Sequence, residues 1–124
     1  MIAIGSDHGG FELKGHIIEH LKEKGIEVKD FGTYSEASVD YPDCAKPVCK
    51  AVLDGECECG ILICGTGIGI SMVANKFKGI RAALCGDVFS AKMSKEHNNA
   101  NVICMGGRVL GRELANMIVD TYLE

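Results

Sequence analysis

Residues 61–70 read ILICGTGIGI, and this stretch decides the fold. Four apolar or sulfur-bearing residues in a row are typical of a strand buried on both faces of a parallel sheet. Alternating glycines then allow a tight turn, and a helical pattern begins at Ile70. Such a turn favours anions, because the first N–H groups of a helix lack intrahelical partners. Cys64, at the end of the strand, is therefore a candidate reactive thiol.

This turn also has simpler explanations. A single cysteine is most often a small buried hydrophobe. Glycine-rich turns between a strand and a helix occur in many nucleotide sites, but neither the GxGxxG nor the GxxxxGK[ST] spacing is present. The turn indicates a function only in combination with polar residues elsewhere in the chain.

Strand and helix patterns alternate along the rest of the sequence. Strands are predicted at residues 1–5, 26–31, 61–64, 80–85 and 101–105. Helical patterns follow each strand: one is closed by Gly25, one begins at Tyr41, one begins at Ile70, one spans 88–96, and the last spans 114–122. Pro47 lies in the second of these helices, so we expect that helix to start late or to bend.

This alternation predicts an α/β fold, with a doubly wound parallel sheet and helices on both faces, as in Rossmann-like proteins. We expect one domain over residues 1–124 and the strand order 2-1-3-4-5. Ligands of such sheets bind outside the carboxyl ends of the strands, here between strands 1 and 3. The turns at 6–10 and 64–69 are therefore predicted to face each other.

Composition excludes several classes of protein. The net charge of −4 gives no basic footprint for nucleic acid. No apolar run has the length of a membrane span, and no signal peptide is recognisable at the start, so no membrane association is expected.

The cysteines provide a second exclusion. Seven cysteines, an odd number, indicate reduced thiols and a cytoplasmic protein rather than a disulfide framework. The pair Cys57 and Cys59 lacks a second close pair, so a structural zinc site is not favoured. The cysteines expected at core positions are Cys44, Cys49, Cys85 and Cys104.

Several polar residues lie at predicted strand or helix ends. Asp7 and His8 follow strand 1, where they form either an acid/base or hydroxyl-binding pair or a solvated turn. His97 and Asn98 end the helix at 88–96, and they fit both a functional site and a helix C-cap with Asn98 in a left-handed conformation. Arg108 follows strand 5, where a cation can meet an anionic ligand. The i, i+4 pair His16 and His20 lacks a third metal ligand and is expected at the surface.

Six motifs follow one another over the whole chain. They are SDHGG at 6–10, DYPD at 40–43, CGTGIGISMVANK at 64–76, GIRA at 79–82, EHNNANV at 96–102 and GGRV at 106–109. Together they resemble the type B ribose-5-phosphate isomerases, the family that also includes galactose-6-phosphate isomerase subunits. The CGTGIG form resembles the branch in which cysteine is the base.

The resemblance implies an aldose-ketose isomerase, which is an intramolecular oxidoreductase. It would interconvert ribose 5-phosphate and ribulose 5-phosphate through a cis-enediolate, without metal or cofactor. By similarity, Cys64 is the base, Thr66 is hydrogen-bonded near it, and His97 assists opening of the furanose ring. The residues implied in binding the sugar phosphate are Asp7, His8, Tyr41, Gly65, Gly67, Ile68, Gly69, Asn98 and Arg108.

The direction of the chain adds an expectation about assembly. His97 and Asn98 end a helix that returns toward the amino ends of the strands, which is the wrong end to reach Cys64 of the same subunit. We therefore expect an obligate homodimer, or a dimer of dimers, with each active site shared across an isologous interface.

One departure from the family concerns the phosphate. Members of the family usually continue past the last helix with a tail whose arginines grip the phosphate, whereas this sequence ends at Glu124. On that basis we expect weaker phosphate binding.

Other functions remain open at this point. An isomerase of another aldose phosphate, such as allose 6-phosphate, or of a free rare sugar would use the same motifs. A flavodoxin-like module would use the same fold, but no tryptophan and three tyrosines leave little to stack on a flavin. A nucleotide-binding module is disfavoured by the missing fingerprint spacing.

Overall fold

A computed structural model describes residues 1–124 and contains one parallel sheet of five strands. The strands are β1 (Ile2–Ser6), β2 (Val28–Asp30), β3 (Cys59–Cys64), β4 (Ala82–Leu84) and β5 (Val102–Gly106). The helices are α1 (Phe11–Glu23), α2 (Tyr41–Leu53), α3 (Ile68–Ala74), α4 (Val88–Glu96) and α5 (Arg112–Leu123). A short 3-10 turn, His8–Gly10, joins β1 to α1. The predicted α/β class with parallel strands is confirmed.

Helices cover both faces of the sheet, because successive side chains of a strand point to opposite faces. Ile61 and Ile63 of β3 pack in one apolar cluster with α1, α4 and α5. Leu62 and Cys64 of the same strand pack in a second cluster with α2 and α3. All six residues of β3 are buried, as the apolar run at 61–64 predicted. The side chain of Cys64 therefore lies on the α2 and α3 side of the sheet.

The observed strand order is β2-β1-β3-β5-β4, so the predicted order 2-1-3-4-5 is wrong for the last two strands. β5 is fully buried and pairs with β3 along its whole length, from Gly60 opposite Val102 to Cys64 opposite Gly106. β4 has three residues and leaves Leu84 45% exposed, which suits an edge position. The strand order therefore depends more on burying the longer apolar strand, β5, than on the order of the strands along the chain. The switch point between β1 and β3 is unaffected.

Two other details of the helices differ from expectation. α3 begins at Ile68 rather than at Ile70, because Gly67 adopts φ = +82° and ends the turn directly before it. α2 runs without interruption from Tyr41 and includes Pro47, so it does not start late. As predicted, Gly25 closes the first helical segment, with φ = +74°.

All seven cysteines are free thiols and all are buried. The four predicted core cysteines are confirmed in that position, and Cys57 and Cys59 join them. No helix combines the length and the apolar character needed to cross a membrane.

A buried ion pair fixes the segment that follows β2. Lys14 of α1 is 1% exposed, and its ammonium donates to Asp30 Oδ1 at 2.7 Å and also to the Thr33 carbonyl. The same Asp30 oxygen accepts the Gly32 N–H at 2.9 Å. A buried ammonium needs such partners, because desolvation without them costs several kcal/mol. Lys14 therefore ties α1 to the beginning of the segment that leads to α2.

The two halves of this pair are expected to contribute unequally to stability. Asp30→Ala leaves a buried ammonium without its counter-charge and should lower the free energy of unfolding by about 3 kcal/mol. Lys14→Met removes the charge but keeps the apolar stem, and the partly exposed Asp30 can turn to water, so about 1 kcal/mol is expected. Urea denaturation measures both values. Equal losses for the two variants would contradict this account.

Candidate active site at the carboxyl ends of the strands

Three loops meet where β1, β3 and β5 end. The Gly107 and Arg108 N–H groups donate to the carbonyls of Cys64 and Gly65 at 2.8 and 3.0 Å, which continues the pairing of β5 with β3 beyond the sheet. A Cβ added to Gly107 would lie 2.5 Å from the Gly9 carbonyl oxygen. A Cβ added to Gly9 would lie 3.0 Å from the Gly65 nitrogen. The predicted meeting of the turns at 6–10 and 64–69 is therefore observed, and the turn after β5 joins them.

The Cys64 sulfur lies within the tight turn between β3 and α3. The Gly67 N–H donates to Cys64 Sγ at 3.1 Å. The sulfur therefore accepts a hydrogen bond from the backbone of the turn that follows it. The next N–H, that of Ile68, donates to Thr66 Oγ1 at 3.2 Å. Thr66 thus caps its own turn, and the hydrogen bond at the sulfur comes from Gly67 instead.

The other six cysteines are in surroundings that oppose ionisation. Burial raises the pKa of Cys49 and of Cys59 to about 11, and it raises the pKa of Cys104 well above its ordinary value. Burial is also the largest cause of the raised pKa values of Cys44, Cys57 and Cys85. These thiols remain neutral at physiological pH.

Asp7 and His8 are both held by backbone N–H groups. Asp7 is 7% exposed, and its Oδ1 accepts the Gly9 N–H at 2.8 Å, which caps the 3-10 turn. His8 Nδ1 lies 3.2 Å from the Val39 N–H, which donates to it. In the neutral ring the proton is therefore on Nε2, so His8 can donate a hydrogen bond with that nitrogen. Asp7 and His8 can therefore stabilise the local backbone and also serve as an acid/base or hydroxyl-binding pair.

Tyr41 and Arg108 lie against two glycines that follow β3, Gly69 in the first turn of α3 and Gly65 in the loop before it. A Cβ added to Gly69 would be 2.9 Å from Tyr41 Cζ, so the phenol ring covers that glycine closely. Arg108 Cδ and Nη1 are each 3.6 Å from the position of an added Gly65 Cβ. The site therefore combines a thiol, a carboxylate, an imidazole, a phenol and a guanidinium around one glycine turn.

His97 and Asn98 are not part of this cluster. Both are exposed and follow α4, and Asn98 lines an open groove with Asn75 and Ala82 at the amino end of β4. Cys64 pairs in register with Gly106, whereas Asn98 lies four residues before β5 begins at Val102. At about 3.3 Å per residue, the length of β5 alone separates the two levels by ~13 Å. The left-handed residue of this turn is Asn99, with φ = +48°, and not Asn98 as expected.

The sequence did not indicate two of the contacts that shape the site. Val39 holds His8 from a segment without periodic pattern, and Lys14 is buried although lysine is ordinarily a solvated residue of a helix. No local signal marks Val39. The sequence signal for Lys14 is its place beside Leu13 and one turn before Ile17 and Ile18, on the apolar face of α1.

Comparison with known proteins adds evidence of descent. A family model described as Ribose/Galactose Isomerase matches residues 2–124. Ribose-5-phosphate isomerase B of Escherichia coli is 56% identical over 122 residues, which are 98% of this chain and 82% of that protein. Galactose-6-phosphate isomerase subunit LacB of Clostridium acetobutylicum is 48% identical over 124 residues, 100% of this chain and 72% of that protein. The solved structure of Clostridium thermocellum ribose-5-phosphate isomerase B has a TM-score of 0.98 at 57% identity, covering 99% of this chain and 83% of that chain.

Proposed function

The chain belongs to the ribose/galactose isomerase family, and from that premise we propose that it interconverts ribose 5-phosphate and ribulose 5-phosphate with Cys64 as the base. The observation that carries the assignment of the base is the Gly67 N–H bound to Cys64 Sγ, beside Asp7, His8, Tyr41 and Arg108. Cys64 thus lies with these polar side chains where β1, β3 and β5 end.

The chemistry that we assign to Cys64 is proton transfer between neighbouring carbons. The thiolate takes the proton from C2 of the open-chain aldose, the electron pair forms the C1–C2 double bond, and negative charge develops on the carbonyl oxygen. Return of the proton to C1 gives the ketose, while the hydroxyl proton moves from O2 to O1. N–H groups of the turn before α3 and of its first helical residues can stabilise the charge that develops in the cis-enediolate.

The remaining side chains bind the sugar phosphate in this proposal. Asp7 and His8 contact the sugar hydroxyls or the ring oxygen, and the Nε2 proton of His8 is available for that purpose. Tyr41 lines the pocket over Gly69. Arg108, which lies against Gly65, contributes a charge-assisted hydrogen bond to the phosphate.

We further propose that two copies of the chain share each site. His97 and Asn98 have exposed side chains at the level of the sheet opposite to Cys64, so a partner subunit can supply them where its own chain cannot. Ile68, Leu84 and Val109 line an open apolar groove of about 430 Å³ beside the catalytic turn, and 45–67% of each residue is exposed. An apolar rim next to an incomplete site suits burial in a homodimer.

Mixing inactive variants tests the shared site. A dimer of one Cys64→Ala subunit and one His97→Asn subunit contains one intact site and one doubly altered site. Random exchange of equal amounts should therefore restore about a quarter of the wild-type sites. Activity is measured after dilution, with subunit exchange verified by mass spectrometry. Verified mixed dimers that remain inactive would contradict the shared site and leave the assignment of Cys64 untouched.

The reactivity of the seven thiols provides a test without turnover. Cys64 is expected to react fastest with iodoacetamide near pH 7, because its sulfur accepts an N–H while burial keeps the other thiols neutral. Peptide mass spectrometry after partial alkylation measures the order of labelling. Cys44 is the informative competitor, since its 8% exposure exceeds the 4% of Cys64. If Cys44 were labelled faster than Cys64, access of the reagent to the sulfur, and not activation of the thiol, would determine the order of labelling.

The substrate is tested by assaying ribose 5-phosphate beside hexose 6-phosphates. Galactose 6-phosphate is the second candidate, because a relative named for it shares 48% identity over the whole chain. We expect the highest kcat/KM with ribose 5-phosphate. A higher kcat/KM with galactose 6-phosphate or allose 6-phosphate would show that the proposed substrate is wrong, whereas the proposed aldose-ketose isomerisation would stand. We also infer a reducing compartment such as the cytoplasm, since all seven cysteines are free thiols.

A further inference from the structure

We propose that Arg81 is a positioning residue that holds the turn carrying His97 and Asn98 in the geometry that the partner subunit's site requires. This inference rests on the proposed function, because it gives Arg81 a role only if that turn takes part in the reaction. Arg81 itself directly precedes β4, and its hydrogen bonds reach neither Cys64 nor its glycine turn.

The guanidinium of Arg81 bridges two segments, one that precedes β4 and one that precedes β5. Its Nε donates to the Asn99 carbonyl at 2.8 Å, and Nη1 donates to the Gly79 carbonyl at 3.3 Å. Asn99 is the residue with φ = +48°, so the hydrogen bond fixes the turn at its conformationally least favourable residue. A lysine ammonium cannot reproduce two donors in a fixed fork.

Asn101 completes this clamp from the other side. Its Oδ1 accepts the Arg81 N–H at 2.8 Å, and its Nδ2 donates to the Gly79 carbonyl at 2.9 Å. The Asn101 N–H donates in turn to the Arg81 carbonyl at 3.1 Å. Gly79, Arg81 and Asn101 therefore form a closed set of hydrogen bonds at the base of the turn.

The core side of the turn is equally well bonded. The Tyr122 hydroxyl donates to the Ala100 carbonyl at 2.6 Å, and the Ala100 N–H donates to the Ser94 carbonyl at 2.8 Å. The side chains of His97 and Asn98, by contrast, have no hydrogen-bond partner within the chain and are exposed. A rigid backbone that presents two unbonded polar side chains is the arrangement that a site on another subunit needs, because misplacement by about 1 Å can cost ~10²-fold in rate.

Arg81→Gln is expected to lower kcat by ~10- to 100-fold, with KM changed by less than about threefold. Arg81→Lys should retain an intermediate rate, because one hydrogen bond can still form. The rate of Cys64 alkylation should stay within about twofold of wild type, since the clamp does not touch the thiol. Arg112→Gln is the matched control: Arg112 is exposed at the start of α5, and its replacement should leave kcat unchanged.

Subunit mixing separates a positioning role from a general loss of structure. Arg81→Gln should regain activity when mixed with Cys64→Ala, because one site then combines an intact turn with an intact thiol. It should gain nothing when mixed with His97→Asn, since both turns are then defective. Recovery with His97→Asn, or wild-type kcat in Arg81→Gln, would overturn the proposal.

A second measurement does not depend on subunit exchange. In a chain that already carries His97→Asn and Asn98→Ala, Arg81→Gln should reduce the residual rate by less than about twofold, because its effect passes through those side chains. A full 10- to 100-fold further loss would show that Arg81 acts elsewhere and would refute the inference. If His97→Asn alone left the activity of the wild-type chain intact, the proposed function of the turn would fail first, and that result is distinct.

Discussion

Replacement of Cys64 by alanine is expected to lower kcat for ribose 5-phosphate by ~10²- to 10⁴-fold, because a positioned general base contributes a factor of that size. The fold should survive, since the side chain fills little volume next to Leu62 and α3. Isomerisation is followed by formation of the ketose, and circular dichroism verifies the fold.

Cys57→Ala is the matched control for this substitution. Cys57 is also buried, at 2% exposure, but it lies before β3 begins and therefore far from the carboxyl end. Its replacement should leave kcat unchanged. If Cys64→Ala retained more than about a tenth of the wild-type kcat, the base would be another residue of the site.

Gly107→Ala is expected to have the second largest effect. The added methyl would lie 2.5 Å from the Gly9 carbonyl oxygen and 2.9 Å from Gly10 Cα, and these are backbone atoms that cannot rotate away. The loops after β1 and β5 must therefore separate, which should cost about 1–3 kcal/mol of stability. Asp7 and His8 lie in one of these loops and Arg108 in the other, so a loss of ~10²-fold in kcat/KM should accompany it.

Gly15→Ala adds the same methyl group as Gly107→Ala, but we expect it to stabilise the protein. Gly15 lies within α1, and beyond the neighbouring backbone of that helix an added Cβ would meet no atom within 4 Å. Alanine there should stabilise the protein by roughly 0.5–1 kcal/mol and leave the activity unchanged. Thermal unfolding and steady-state kinetics measure both variants. A tolerated Gly107→Ala would mean that the contact between the loops is not needed for the site.

The location of the site could be predicted from the sequence because it depends only on the ends of β1 and β3. Both strands contain a run of four apolar or sulfur-bearing residues, and they flank the switch point in either strand order. Asp7, His8 and the turn after Cys64 therefore come together as expected. The helix at Val88–Glu96 has the boundaries that its pattern predicts, since Asp87 caps it and the pattern is regular.

The order of the last strands could not be read from adjacency along the chain. Only pairing of β5 with β3 places Arg108 against Gly65; in the predicted order, β4 would lie between them. The sequence does contain a signal for the true order, because β5 is a continuous apolar run whereas the stretch at Arg81 is interrupted by a charge. Apolar continuity is a better guide to a central strand than position in the chain.

Contacts that depend on tertiary structure could not be predicted from the hydrophobic pattern of the sequence. The Val39 N–H on His8 joins residues 31 positions apart through a segment without strand or helix. The hydrogen bond from Arg81 Nε to the Asn99 carbonyl likewise joins residues 18 positions apart. Neither residue type at these positions differs from what an exposed loop would carry, so only the folded chain reveals the contact.

Both edges of the sheet are three-residue strands, β2 and β4. A short edge leaves few unpaired N–H and C=O groups, and β2 also carries Lys29, whose ammonium bonds Glu56 at 2.6 Å. Long, flat, apolar edges are the templates on which chains add strands to one another and form aggregates. This chain keeps its long apolar strands, β1, β3 and β5, in the interior, so concentrated solutions of it should resist fibril growth through its sheet. In the proposed homodimer, contact between subunits is thereby left to helices and loops, where geometry can limit it to a closed oligomer.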